Sequence, residues 1–195
     1  FMRWYFPRFL AKTFALARQD EYEADRIAGK LLGREVTAAA LAEIEIRGAW
    51  LQAEFWGRHW CVAAGNPLPV GPYRSMRRYL AEAPDATFAN DALLQALKRL
   101  SSVDDTHPGL RDRIEALDAT PTLPAWSRGS ALALLGGGAR QWVKYFDKQW
   151  CSNNATEWKQ HHAWLERVRA RAEVLGTSMP QNSAAELVEL ARLKR

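Results

Sequence analysis

Apolar side chains recur along this chain at steps of three and four residues almost from end to end, and strand-like alternation is missing. Phe6, Phe9, Leu10, Phe14, Ala17, Ala24, Ala28 and Leu31 mark a helix over residues 3–32. Pro7 starts or kinks it near its beginning, and Gly33 is a suitable stop. Thr37 is placed to cap a second long helix, 38–64, rich in Ala and carrying Leu41, Ile44, Trp50, Leu51, Phe55 and Trp56. Residues 65–72, with three prolines and two glycines, cannot be helical. A short helix over 73–82 follows, then one capped by Asp85 and running to about Leu100. Pro108 suits the first turn of a helix over 109–117.

Pro121 and Pro124 make residues 119–124 the best boundary in the chain. Beyond it, Ser127 is expected to cap a short helix ended by Gly136, Gly137 and Gly138. A long amphipathic helix over 139–175 then gathers Trp142, Phe146, Trp150, Trp158, Trp164 and Leu165 on an aromatic face. A turn over 179–183 leads into a last helix, 184–195. The pattern predicts an all-α chain with a first region, 1–118, a linker with a short helix, 119–138, and a helical extension, 139–195. Such a helix pair resembles the opening of a helical repeat array.

The content of 48% hydrophobic and 25% charged residues is that of globular proteins that fold in water. No apolar run approaches the roughly 18 residues of a membrane span. Residues 2–9 alternate aromatics with Arg, which suits a bilayer interface or a helix packed on a further domain. The net charge of +5 is interleaved with acids and accompanies no nucleic-acid-binding module, so no nucleic-acid partner is expected. Cys61 and Cys151 lack metal-ligand spacing and read as free thiols packed in helices. His161 and His162 have Glu157 and Glu166 a turn away. Adjacent helical residues point about 100° apart, so the two rings cannot share one ion.

Two short segments carry candidate chemistry. In Glu21-Tyr22-Glu23-Ala24-Asp25, Glu21 and Asp25 stand four residues apart and share a helix face. Alone, such a pair is an ordinary solvated one, Glu21 bridging to Arg18 and Asp25 to Arg26 or Lys30. The second segment, Asp105-Thr106-His107-Pro108 followed by Arg113-Ile114, lies about eighty residues on. Together they resemble the HtpX-like and CAAX-prenyl-protease-like zinc metallopeptidases, a gluzincin family, over residues 3–118. There an E-Y-x-A-D segment follows the H-E-x-x-H helix, and T-H-P…R-I comes later.

The resemblance implies a role for each residue. Glu21 would be the third ligand of a His-His-Glu zinc site with a fourth position open for water. Asp25 would orient a ligating His through its second N–H. His107 would stabilise the oxyanion of the tetrahedral intermediate, and Arg113 would anchor a carboxylate near the metal through its bidentate fork. Plainer readings stand beside these: His107 holding the turn before Pro108, and Arg113 pairing with Asp112 or near Glu115. Glu23 lies on another face and reads as solvated.

None of the four histidines, His59, His107, His161 and His162, is followed by Glu, so no H-E-x-x-H is present. Two ligands and the general base of the family are therefore absent. The expectation is a soluble fragment of a zinc metalloendopeptidase, inactive and binding no zinc by itself. The intact protein would hydrolyse polypeptides and would be held, through an N-terminal part not seen here, at a membrane, the bacterial inner membrane in this resemblance. The rival reading is a non-catalytic helical protein-interaction module. A third, from charge alone, is a binder of anionic surfaces.

Overall fold

The computed structural model describes residues 2–101, 107–126 and 129–177, and every regular element among them is a helix. The all-α expectation holds. The expected helix cap at Ser127, the turn over 179–183 and the helix over 184–195 fall outside the described residues. The helices are α1 (Met2–Leu32), α2 (Arg34–Trp50), α3 (Trp56–Cys61), α4 (Tyr73–Tyr79), α5 (Ala86–Lys98), α6 (Leu110–Ala116) and α7 (Ala139–Thr177). Among the described residues no helix is long and apolar enough to cross a membrane.

The chain forms two compact units, Phe1–Ala53 with Glu82–Arg128 and Glu54–Ala81 with Gly129–Arg195. The core of the first is built from small and branched residues at helical repeats. Ala38, Ala42 and Ile46 of α2 meet Ala89 and Leu93 of α5, and Leu110, Ile114 and Leu117 at α6. Alanines on α2 and α5 let backbones approach, which larger side chains would prevent. Gly29 does the same for α1, since a Cβ there would stand 3.1 Å from Leu117 Cδ2.

Gly33 separates α1 from α2 by taking φ 102°, a left-handed value that glycine adopts freely. This corrects one expectation. Because α2 starts at Arg34, Thr37 lies inside it, and its hydroxyl bonds back to the Gly33 carbonyl at 3.0 Å instead of capping. Asp85 does cap α5, accepting from the N–H groups of Thr87 and Phe88. Its carboxyl is held below the usual range by those two bonds, that from Phe88 first.

The expected helix over 38–64 is interrupted by a π-turn at Leu51–Phe55. Its buried stripe steps by four through Ala38, Ala42, Ile46 and Trp50, by five to Phe55, then by four to His59 and Ala63. One extra residue in the turn rephases the face.

In the second unit, Trp158 is fully buried and donates its indole N–H to the Asn66 carbonyl at 2.9 Å. Around it, His59 packs edge-on to Trp150 with centroids 5.1 Å apart and stacks on Phe55 at 5.7 Å. The loop over 66–72 is tied to α7, where Asp147 accepts the Tyr73 N–H at 2.8 Å and the Cys151 thiol meets the Pro69 carbonyl at 3.4 Å. Gly71 has to be glycine, as a Cβ there would overlap Asp147 at 2.4 Å. Both cysteines are free; Cys151 is half-buried as expected, whereas Cys61 is exposed. His162 bonds the Ala63 carbonyl and His161 stacks on Trp164, so both rings serve packing.

Candidate functional site

Glu21 and Asp25 project from one face of α1, as the four-residue spacing requires. The chain reaches them again through His107, just before α6, and Arg113 within it. Arg113 holds the buried Asp25 by two parallel bonds, Nε to Oδ2 and Nη2 to Oδ1, each 2.7 Å. The same Nη2 lies 3.0 Å from Glu21 Oε2, and His107 Nδ1 lies 2.9 Å from Glu21 Oε1. The four residues chosen from sequence therefore form one connected group across more than eighty positions. Asp105 and Thr106 fall outside the described residues.

Several local readings are replaced by this geometry. Arg113 pairs with neither Asp112 nor Glu115, and Asp25 with neither Arg26 nor Lys30. Arg26 instead binds Glu23, which is exposed and solvated as expected, and the pair holds the Glu23 carboxyl below its usual range. Asp112 is engaged elsewhere. The Ser101 hydroxyl donates to Asp112 Oδ2 at 2.5 Å and accepts the Gly109 N–H at 2.6 Å. That clamp fixes the turn after His107, and sequence reasoning missed it because Ser101 and Asp112 share no motif spacing.

The electrostatics follow from burial and pairing. The bonds from Asp25 raise the Arg113 pKa, burial opposes them, and the charges of Asp25, Glu21 and Glu45 add to the rise. Burial first, and the Asp112 charge second, push the Tyr22 hydroxyl up. Glu21 is about one quarter exposed and His107 is 70% exposed, so the group opens outward from a closed end at Asp25. A separate groove of about 460 Å³ between α2 and α5, lined by Glu45, Phe88, Asp91 and Arg99, includes none of the four.

A carboxylate such as Glu21 is a chemically suitable zinc donor. Among the described residues, though, no three His, Cys, Asp or Glu side chains stand together as a metal would need. Among the described residues, the group thus offers one carboxylate donor suited to zinc, Glu21, without the further donors of a three-residue set.

A family model for peptidase family M48 matches residues 8–121, more than half of the chain and the whole stretch that bears the four residues. No curated protein and no solved structure matches.

Proposed function

We propose that this chain, which belongs to peptidase family M48, is the Glu21-bearing part of an HtpX-like zinc metalloendopeptidase. Its two His ligands and general base would lie outside these 195 residues. Hydrolysis of polypeptides, and attachment to a membrane through residues outside this sequence, belong to the same proposal. The observation that carries it is the joint hold on Glu21, by Arg113 on one oxygen and His107 on the other.

When bound, zinc supplies Lewis-acid polarisation of the scissile carbonyl and a bound water of lowered pKa. The chain's own residues do the positioning. Asp25 fixes the Arg113 fork, and Arg113 then orients the Glu21 carboxylate while offsetting its charge. With its Nδ1–H given to Glu21, His107 can donate from Nε2 to a developing oxyanion only as the imidazolium. Asp25 thus serves Arg113, and orienting a ligating His from outside these residues stays part of the same proposal.

The test is made on the protein carrying its H-E-x-x-H segment, by zinc content and by hydrolysis of an unfolded protein substrate. Glu21→Ala should lose the metal and the activity together. His107→Ala should keep the metal and lose turnover by roughly 10²–10³-fold. Stoichiometric zinc retained in Glu21→Ala would remove Glu21 from the ligand set. A reading frame with no H-E-x-x-H would favour the non-catalytic interaction module instead.

A further inference from the structure

We propose that the exposed aromatic stripe at the start of α7 is a docking surface for an anionic phospholipid bilayer. It does not depend on the zinc reading, because every residue in it belongs to the second unit.

Trp142, Tyr145 and Phe146 stand at i, i+3 and i+4 and form one stripe. Their rings pack on one another, Trp142 with Phe146 at 6.0 Å and Tyr145 with Phe146 at 5.4 Å, yet all three remain about half exposed. Tyr73 extends the cluster, edge-on to Phe146 at 6.0 Å. Just upstream, Leu134 is 89% exposed and Leu135 51%. Large apolar groups gathered this way on a surface indicate a partner.

Charge identifies the partner. The segments of the second unit carry 14 Lys and Arg against 7 Asp and Glu, whereas the first unit carries 13 against 15. All of the chain's positive excess therefore lies in the unit that bears the stripe. At 100° per residue, Lys148 flanks the stripe about 60° beyond Tyr145, and it is exposed. Tyr73 brings α4 to the other side, with Arg74 and Arg77 exposed beside it. The one acid in this part of α7, Asp147, is turned inward and accepts the Tyr73 N–H.

An apolar centre with a basic rim and no exposed acid fits headgroup phosphates around a shallowly inserted surface. Trp and Tyr are suited to that depth, each with an apolar body and a polar tip. Leu134 and Leu135 favour acyl chains over nucleobases, which would use rings and cations but gain little from leucines. Since no described helix can cross a bilayer, the surface lies on the membrane.

The test is co-sedimentation of the 195-residue chain with vesicles of phosphatidylcholine alone and of equimolar phosphatidylcholine and phosphatidylglycerol. Binding to the mixed vesicles alone, weakened by salt, is expected. Arg77→Gln with Lys148→Gln should weaken it roughly thirty-fold. Leu134→Ser with Tyr145→Ser should weaken it by roughly ten-fold; both residues are exposed, and an unchanged circular dichroism spectrum checks the fold. Four results would overturn the proposal: no sedimentation, equal sedimentation with both vesicle types, displacement by a single-stranded oligonucleotide with indifference to the serine pair, or a self-associated chain that Tyr145→Ser dissociates.

Discussion

Both units have apolar interiors, but the contacts that pin their key positions differ in chemistry. In the first, the contact that joins α6 to α1 at the site is ionic, with Arg113 between Asp25 and Glu21. In the second, the centre is a set of rings around Trp158 and His59. A bidentate ion pair is directional, so it fixes register and orientation at one point. Ring packing is broad and fixes volume over many contacts. The candidate chemistry sits in the directional unit, and its supporting contact is also the contact that positions it.

The sharpest way to break this contrast is to remove the pinning contact of each unit in turn. Trp158→Ala deletes a fully buried indole together with its bond to the Asn66 carbonyl. It should cost about 3–5 kcal/mol in a urea titration, and the Arg113 contacts, made within the other unit, should survive. Arg113→Met comes next. It leaves Asp25 buried at 5% exposure without its cation, which should cost about 3 kcal/mol. Arg113 is itself one-fifth exposed, which places the value at the low end. Arg113→Lys keeps the charge but loses the fork, so it should recover only part of that loss. A cost below about 1 kcal/mol for Arg113→Met would make the contact an ordinary surface pair and would end the contrast.

Sequence reading served the two units unequally. Periodicity placed α1 and α7 nearly to the residue, and the Asp85 cap was visible as a residue type before an apolar run. The four residues of the site were reachable because two short segments match a family pattern, although no spacing announced that Arg113 would reach Asp25 across 88 positions. Three features left no such signal. The π-turn at Leu51–Phe55 changes the phase of a face that reads as continuous, since one-residue shifts are invisible in an Ala-rich run. The clamp of Ser101 on Gly109 and Asp112 depends on a loop path. The packing of the loop over 66–72 on α7 is a tertiary contact between segments about eighty residues apart.

His59 offers the smallest and most specific test of the aromatic unit. It is buried among Phe55, Trp150 and Trp158, and its Nε2 has no hydrogen-bond partner. Burial lowers its pKa below the ordinary 6.5, while a backbone bond at Val70 and the charge of Asp147 pull it back up. The unfolded chain therefore takes up the proton before the folded one does. Stability from this group is complete above about pH 6.5 and is lost as the pH falls towards the lowered folded value. The slope cannot exceed about 1.4 kcal/mol per pH unit, so between pH 6.5 and 5.5 the effect stays below that of either deletion. Urea midpoints at the two pH values should differ more for the wild-type chain than for His59→Phe, which keeps a ring in the site but has nothing to protonate. Equal differences would mean that His59 titrates alike in both states, and the centre of the aromatic unit would then admit charge more readily than its ring packing implies.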